Sequence, residues 1–472
     1  MSNIYDAIII GSGAGGAAAA YQLTKNGAKV LLIERGQPIP TDGSTLDVKK
    51  VGQGLCRLHE NWLDRHGKSF SPHEYLSLGG KTKWYGAALL RLPADEFKPD
   101  AEHGLLGWPL SYAELEPFYT EAEKLLAVRT FDIESDLKAL AGAIKHSDAR
   151  WQASALPLGL SAKILEHIEE ARHFDGYASP LDLKSDAQSC LLNRVAGNAN
   201  LDIITGRRVA GLLGASDQPQ RVIGVTCDDG SSYYSKHVLL AAGALNSPRI
   251  LQDYAVQNRL QSALPGYAAI GRNYKCHLNT VVLALSATRK TDLLRKTLLL
   301  RHSDFPHSSA QTLGWLDGAI LGNELPAWTP RWCANLLASR AYGFFLTSED
   351  GSHHDNRVRS GFGAMSTLDY DPARRATLLR EHQAFVSRFR SDLLKRGYLC
   401  VSKPMPLAAS AHACGTLAAG TDPAVSVVNA DGRVHGMENL YVVDGSVLPR
   451  SGSVNPALTI YAWALRCASR IL

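Results

Sequence analysis

The sequence predicts an α/β protein, with α+β character overall, and three segments indicate this fold class. Residues 4–36 read as strand, glycine-rich turn, helix and strand, which is a βαβ unit of ordinary length. Residues 201–244 resemble a small antiparallel meander that returns to a parallel strand, and residues 440–472 return to strand and helix. Because α/β patterns at both ends enclose a less regular middle, we predict a Rossmann-like domain with an inserted second domain built on an antiparallel sheet plus helices.

The glycine motif of the first unit predicts that this domain binds a dinucleotide. Gly11 to Gly16 fit G-x-G-x-x-G between a strand and a helix, and Glu34 ends the following strand. The glycines permit a tight turn that seats a pyrophosphate on the helix N-terminus, and the acid can accept hydrogen bonds from a ribose hydroxyl. A glycine turn without a ligand is the alternative. The motif does not separate NAD from FAD, but the small residues at 17–20 and the lack of a second such motif favour FAD.

The remaining elements can be placed from periodicity and from turn residues. A second glycine-rich stretch occupies residues 78–84, and Ser111 is a plausible N-cap. The meander ends at Gly243, where the backbone could approach a ligand closely. The predicted elements beyond residue 100 are a helix from about Tyr112 to Leu126, strands at 201–205, 222–227 and 238–242, a helix from Pro372 to Arg396, a strand at 440–443 and a helix from Pro456 to the end.

Length and composition restrict the possible classes of protein. A chain of 472 residues exceeds the ~250–300 residues at which single cores stop growing, so two joined domains are expected. The net charge of +5 is small and no dense block of Lys and Arg occurs, which argues against nucleic-acid binding. No apolar run reaches ~18 residues, so no membrane span is predicted. The first strand begins too close to Met1 for a secretory signal, and we expect a cytoplasmic protein.

The cysteines and histidines give no reason to predict a metal site. The eight cysteines are scattered without the spacing of metal ligands or of a redox disulfide, and we expect reduced, mostly buried thiols. His353, His354 and Asp355 are adjacent, but they lie in a loop rich in Gly, Ser and Asp. A surface loop explains this triplet better than a metal site does.

Several separated blocks of the sequence together resemble the glucose-methanol-choline (GMC) oxidoreductases. The matching blocks are residues 5–36, 78–91, 241–248, 271–273, 356–358 and 412–472. The resemblance fades over residues 131–200 and 278–342. Residues 78–84 are most similar to the pyranose-oxidase-like and gluconate-dehydrogenase-like branch of the family.

The resemblance implies a catalytic pair, His412 and Asn455. His412 begins the segment His-Ala-Cys-Gly-Thr, which resembles the family motif H-x-x-G-T, and Asn455 stands where members carry a second His or Asn. Alcohol oxidation needs a base for the hydroxyl proton and a donor for the developing alkoxide while hydride leaves for flavin N5. The alternative makes His412 a structural loop residue and Asn455 the N-cap of the last helix.

The resemblance also implies non-covalent FAD as the cofactor. Some members of the similar branch bind the flavin covalently through a His in the second glycine-rich stretch, and Lys83 stands at that position. The N-terminus of the last helix would lie beside flavin N1 and the C2 carbonyl, where its dipole stabilises an anion. The cofactor-binding residues predicted from motif and resemblance are Gly11, Ser12, Gly13, Ala14, Gly15, Gly16, Glu34, Arg35, Gly79, Gly80, Thr82, Lys83, Val209, Ala242, Gly243, Asp444, Gly445, Pro456 and Ala457.

The sequence thus predicts an FAD-dependent enzyme that oxidises the CH-OH group of a small-molecule alcohol such as a sugar, polyol or specialised metabolite. Oxygen or a diffusible electron acceptor would reoxidise the flavin. Two alternatives stay open: a redox-silent lyase similar to hydroxynitrile lyases, and a degenerate FAD-binding protein with a structural role. The predicted FAD-binding domain comprises residues 1–100, 186–277 and 413–472, and the substrate domain comprises residues 101–185 and 278–412.

Overall fold

The computed structural model describes residues 4–322, 325–326 and 328–471. The strands, in chain order, are β1 (Tyr5–Ile10), β2 (Val30–Ile33), β3 (Arg57–Leu58), β4 (Trp62–Asp64), β5 (Ser69–Phe70), β6 (Glu74–Tyr75), β7 (Arg129–Thr130), β8 (Trp151–Ala155), β9 (Pro157–Leu158), β10 (Leu201–Ile204), β11 (Val209–Gly214), β12 (Val222–Cys227), β13 (Ser232–Leu240), β14 (Leu278–Leu285), β15 (Leu298–His302), β16 (Ser308–Thr312), β17 (Ala341–Ser348), β18 (Arg357–Arg359), β19 (Thr367–Asp369), β20 (Leu399–Pro404) and β21 (Leu440–Val442). The α-helices are α1 (Ala14–Lys25), α2 (Val48–Gly52), α3 (Tyr112–Leu125), α4 (Ser135–Ser147), α5 (Ile168–Arg172), α6 (Asn193–Val195), α7 (Gly243–Gln257), α8 (Gly318–Gly322), α9 (Arg331–Ala338), α10 (Ala376–Leu394) and α11 (Ala457–Ala468).

The first sheet has a parallel centre in the order β10-β2-β1-β13-β21, and the antiparallel strands β12 and β11 extend it. Ile8 of β1 lies between Leu31 and Val238 of its two neighbours. Continuous apolar runs suit such strands, because helices cover a parallel sheet on both faces. Helices α1 and α11 pack together on this sheet, and almost every residue of α11 is buried.

The structure confirms the predicted fold class and corrects the meander. Residues 201–204 were expected to form an antiparallel strand, but β10 pairs in parallel with β2 at the edge of the first sheet. The antiparallel meander is instead β11-β12-β13. Strand β11 was not predicted, because Gly211 and Gly214 weaken its pattern. A run of four residues does not specify its pairing partner, which depends on tertiary contacts.

The second sheet is antiparallel in the order β20-β14-β17-β16-β15-β8. Helix α10 packs on it through Phe385 and Phe389, which contact the buried Trp151 of β8. The predicted helix at 372–396 is observed as a 3-10 turn followed by α10. The strands of the two sheets come from the chain segments assigned to the two predicted domains, and on this basis we propose those domain boundaries.

Helix α3 begins as its N-terminal sequence predicts. The Ser111 side chain accepts a hydrogen bond from the backbone N–H of Glu114, and the Glu114 carboxylate accepts one from the backbone N–H of Ser111 at 2.9 Å. This reciprocal capping box satisfies two of the N–H groups that a helix start leaves unpaired. Within the described residues, no helix has both the length and the apolar character to cross a membrane.

A buried ion pair joins the second glycine-rich segment to Asp186, far along the chain. The Nζ of Lys83 donates to Oδ2 of Asp186 at 2.9 Å, and both side chains are almost fully buried. The other Asp186 oxygen accepts hydrogen bonds from the backbone N–H groups of Gln188 and Ser189 at 2.8 and 3.0 Å. Because a buried charge without its partner is strongly unfavourable, the pair holds residues 80–83 in one position.

The variant Lys83→Met should lower the free energy of unfolding by ~3–5 kcal/mol, since it leaves the carboxylate of Asp186 buried without a cation. The double variant Lys83→Met, Asp186→Asn should recover part of this loss, because the amide oxygen can still accept the two backbone hydrogen bonds. Denaturant unfolding measures both effects. The matched control Lys81→Met removes a partly exposed lysine and should change the free energy by less than ~1 kcal/mol. A similar small change for Lys83→Met would contradict the role given to the pair.

Candidate active site

A cavity of about 660 Å³ is lined by both sheets. Ile10 at the end of β1 and Ala241 directly after β13 line it from the first sheet, and Gln311 and Phe345 line it from the second. This volume lies in the range of cofactor and small-molecule sites. The cavity is therefore placed where residues of both proposed domains can contact a ligand.

The first glycine motif lines one end of the cavity at the start of α1. Gly11 has a φ of 100°, and a Cβ on it would lie 2.5 Å from the carbonyl oxygen of Ala241. A Cβ on Gly13 would meet nothing within 4 Å, so this part of the turn is open to the cavity. Gly13 precedes α1 and no side chain caps the helix, which leaves its first backbone N–H groups available to an anion.

The carboxylate of Glu34, directly after β2, holds this turn from the side. Its Oε2 accepts hydrogen bonds from the backbone N–H and the hydroxyl of Ser12 at 2.9 and 2.6 Å. Its Oε1 accepts one from the backbone N–H of Gly36 at 2.7 Å. Burial raises the pKa of Glu34 above its ordinary value. Glu34 thus orders the turn while it lines the cavity beside Arg35.

Two more helices begin at the wall of the same cavity. Gly243 starts α7, and its backbone N–H donates to Oδ2 of Asp444 at 2.8 Å. Pro456 precedes α11, and no side chain caps that helix either. The Asp444 carboxylate thus already occupies the start of α7, whereas the uncapped starts of α1 and α11, with their partial positive charge, favour a negatively charged ligand along this wall.

His412 and Asn455 come together at the part of the cavity that the second sheet borders. Nε2 of His412 lies 3.4 Å from Nδ2 of Asn455. His412 has a φ of 67°, a left-handed conformation that costs roughly 1 kcal/mol or more outside glycine and fixes the direction of the ring. Burial, followed by electrostatic effects that include the positive charges of Lys81 and Lys296, lowers the pKa of His412 well below its ordinary value. The imidazole is therefore neutral, with one of its ring nitrogens unprotonated.

Two residues that sequence reasoning missed bind this pair. Nδ1 of His277 lies 2.6 Å from Nδ1 of His412, and the Gln311 amide donates to Oδ1 of Asn455. His277 directly precedes β14, and Gln311 lies in β16, in the region where the family resemblance fades. Asn455 does not act as the N-cap, which was its alternative role, because Pro456 occupies that position.

A second polar group faces the cavity beside Gln311. Nζ of Lys296 donates to Oδ2 of Asp175 at 2.7 Å, and the same oxygen accepts a hydrogen bond from the backbone N–H of Gly314 at 2.9 Å. Burial opposes ionisation of Asp175, but the charge of Lys296 outweighs it and lowers the pKa of this carboxyl. Leu313 and Phe345 supply apolar surface nearby. This wall thus combines one ion pair with apolar side chains.

Most of the predicted cofactor residues line the cavity, as do both residues of the predicted catalytic pair. Those at the cavity wall are Gly11, Ser12, Gly13, Ala14, Gly15, Glu34, Arg35, Gly80, Thr82, Val209, Ala242, Gly243, Asp444, Gly445, Pro456 and Ala457.

Gly16, Gly79 and Lys83, for which cofactor contact is also predicted, lie outside the cavity wall. Gly16 packs against the turn itself, since a Cβ there would overlap the carbonyl oxygen of Gly11. Gly79 donates its backbone N–H to Oγ of Ser12 at 2.9 Å and so supports the turn. Lys83 points away toward Asp186, which binds its ammonium group.

Comparison with known proteins gives relatives along almost the whole chain. A paromamine 6'-oxidase from Streptomyces fradiae is 29% identical, with 99% of this chain and 91% of the relative covered. A 6'''-hydroxyparomomycin C oxidase from Streptomyces lividus is 27% identical with the same coverage. The crystal structure of pyridoxine 4-oxidase from Mesorbium loti superposes with a TM-score of 0.69 at 20% identity and covers 99% of this chain and 98% of that one. At this identity the structural match shows the fold alone.

Family models match both ends of the chain. The N-terminal model of the GMC oxidoreductases covers residues 5–279, and the C-terminal model covers residues 400–464. The first match alone spans more than half of the 472 residues. The chain therefore belongs to the GMC oxidoreductase family.

Proposed function

We propose that this protein is an FAD-dependent oxidoreductase that oxidises the CH-OH group of a small polar alcohol. The observation that carries the proposal is a half-buried His412 beside Asn455 at the wall of a cavity that the dinucleotide motif also lines. GMC oxidoreductases are in general FAD-binding proteins. The two Streptomyces relatives are named as oxidases, in agreement with redox chemistry.

The residues at the first glycine motif fit FAD. The open side of Gly13 and the uncapped N–H groups of α1 suit the pyrophosphate, and Glu34 has lone pairs left for a ribose hydroxyl. The uncapped start of α11 at Ala457 suits the flavin end, where negative charge develops on reduction. When bound, FAD supplies the hydride acceptor. We propose non-covalent binding, because Lys83 stands at the position of the covalent His and its amine is held by Asp186.

His412 and Asn455 have different roles in the proposed reaction, one as the base and the other as a hydrogen-bond donor. Nε2 of His412 accepts the hydroxyl proton of the substrate, because the ring is neutral and this nitrogen faces Asn455. The Asn455 amide donates a hydrogen bond to the substrate oxygen as negative charge builds on it. Gln311 donates to the Asn455 carbonyl oxygen, so the NH2 group must point toward His412. Both groups are only half-buried at the cavity wall, and a bound substrate would exclude water from them and strengthen these interactions.

The wall opposite the glycine motif supports a polar substrate. Asp175 lines the cavity, and its Oδ1 has no protein partner among the hydrogen bonds of the described residues. This carboxylate can accept a hydrogen bond from a substrate hydroxyl or ammonium group. The relatives are named for paromamine and hydroxyparomomycin, and we therefore propose hydroxyl-rich, amine-bearing sugars as the first substrates to test. Oxygen or a diffusible electron acceptor then reoxidises the flavin.

Substrate reduction of the bound flavin tests the proposed function directly. Anaerobic mixing of the purified holoenzyme with amino sugars should bleach its visible flavin bands, whereas sterols should not, because the cavity contains a buried ion pair that a sterol cannot bind. Sugars and aliphatic alcohols complete the panel, and readmission of air shows whether oxygen restores the colour. Bound flavin that no alcohol bleaches would contradict alcohol oxidation, and cleavage of a substrate without bleaching would identify a lyase.

Loss of the base should slow turnover while the fold is kept. His412→Gln should lower kcat by ~10²–10⁴-fold, and Asn455→Ala by ~10²-fold or more. Because burial lowers the pKa of His412, its base form persists on acidification, and wild-type kcat/KM should stay level from pH 8 down to about pH 6. His354→Ala, at an exposed surface histidine, is the matched control and should leave kcat unchanged. Near-normal turnover by His412→Gln would remove this residue from the mechanism.

Denaturation should release the flavin, because no protein side chain bonds to it covalently in the proposed complex. After acid precipitation, the yellow colour should stay in the supernatant and migrate as FAD. The variant Gly13→Val should bind FAD at least tenfold more weakly, since its side chain would enter the open part of the turn. Gly142→Val, at an exposed position of α4 that is equally open and has no positive φ, controls for the loss of a glycine. Colour retained in the pellet would contradict non-covalent binding.

A further inference from the structure

A buried histidine, His277, contacts the side of His412 opposite Asn455. His277 precedes β14, and only 3% of its surface is exposed. Its Nδ1 lies 2.6 Å from Nδ1 of His412, and its Nε2 lies 2.7 Å from the carbonyl oxygen of Gly452. The two rings meet edge to face at 84° with their centres 4.8 Å apart. Gly452, His277, His412 and Asn455 thus form one continuous row of polar contacts.

The Gly452 carbonyl group, at one end of this row, determines which ring nitrogen of each histidine carries a proton. A carbonyl oxygen only accepts hydrogen bonds, so Gly452 requires a hydrogen on Nε2 of His277. Burial lowers the pKa of His277 to about 4, and a neutral ring carries a single N–H. Its Nδ1 must then accept a hydrogen bond, and Nδ1 of His412 is the donor. Because His412 is neutral too, its Nε2 is left with a lone pair.

The Gly452 carbonyl is itself rigidly oriented. The N–H of the same peptide group, that of Ser453, donates to the Glu96 carboxylate at 3.1 Å, and the N–H of Gly452 donates to Oε1 of Glu349 at 3.0 Å. Glu349 is paired with Arg450 through two hydrogen bonds, the longer of which is 2.9 Å. A hydrogen bond from a peptide N–H to a carboxylate polarises the peptide and makes its oxygen a stronger acceptor. The anchor of the row is therefore fixed in both direction and polarity.

We propose that His277 is a positioning residue that holds His412 in the Nδ1–H tautomer. In that tautomer the lone pair of Nε2 faces Asn455 and the cavity, where a substrate hydroxyl would lie. The opposite tautomer would present an N–H there and could not accept a proton. This inference rests on the proposed function, since it describes how the base for alcohol oxidation is prepared. Its geometry, however, can be tested without any substrate.

Nitrogen NMR of the holoenzyme labelled with 15N-histidine reads the tautomer directly. The His412 signals are assigned by their loss in His412→Gln. In the wild type, Nδ1 of His412 should carry a proton and Nε2 should not. A protonated Nε2 with a bare Nδ1 would overturn the proposal, whatever the activity of the enzyme. This measurement needs no variant of His277, so a folding failure in such a variant does not affect it.

Variants of His277 test whether the hydrogen bond causes this preference. His277→Phe keeps a ring but accepts no hydrogen bond from His412, and it should shift the tautomer ratio toward Nε2–H at least tenfold and lower kcat ~10–100-fold, with KM changed less than threefold. His277→Gln can accept with its oxygen and donate with its nitrogen, and it should restore both values to within about fivefold of wild type. The control His382→Phe removes another buried histidine, which contacts Thr280 and Ser348 outside the catalytic row, and should leave the His412 signals unchanged.

The outcomes separate this inference from the proposed function. An unchanged tautomer ratio and kcat in His277→Phe would overturn the positioning role. Equal losses in His277→Phe and His277→Gln would also overturn it, because the effect would then not depend on hydrogen bonding. If no alcohol reduces the flavin, the proposed function fails, but the tautomer ratio still decides whether His277 orients His412.

Discussion

The close contact between the first glycine turn and the ends of two distant strands is the constraint on which the site depends. A Cβ on Gly15 would overlap the carbonyl oxygen of Val443, and one on Gly11 would lie 2.5 Å from that of Ala241. Only residues without side chains allow α1 to lie this close to segments that follow β13 and β21. Helix α7 begins at Gly243, shortly after β13, and α11 follows β21 along the chain. This backbone packing therefore brings the starts of α1, α7 and α11 to one cavity.

The C-terminal segment supplies the proposed catalytic pair, and the second sheet orients it. His412 and Asn455 lie in loops of the C-terminal segment, and loops by themselves position side chains poorly. Their orientation comes from the second sheet, where His277 precedes β14 and Gln311 lies in β16. His277 binds Nδ1 of His412, and Gln311 binds Oδ1 of Asn455. The atoms to which we assign the proton chemistry, Nε2 of His412 and Nδ2 of Asn455, are left toward each other.

Sequence patterns predicted the elements that depend mainly on residues close to one another in the chain. The βαβ unit with Glu34, the N-cap at Ser111 and the α10 helix depend on periodicity, glycine turns and capping, and the structure contains all three. The parallel pairing of β10 and the direction of Lys83 could not be predicted, because both depend on partners far along the chain. The same holds for the supporting residues of the catalytic pair, which belong to no motif. A buried histidine at the end of an apolar strand looks like any core residue until its neighbours are known.

The family models cover the residues that form the proposed cofactor side of the cavity, but they leave out part of the proposed substrate side. The cavity wall that suits the cofactor is built from residues 5–279 and 400–464, which the family models cover. The substrate wall draws Lys296, Leu313 and Phe345 from the segment between them, which neither model covers. Gln311 lies in the same segment, but its amide is committed to Asn455 and is therefore less free to vary than its neighbours. We therefore propose that substrate choice depends on the ion pair of Lys296 and on the apolar side chains of Leu313 and Phe345.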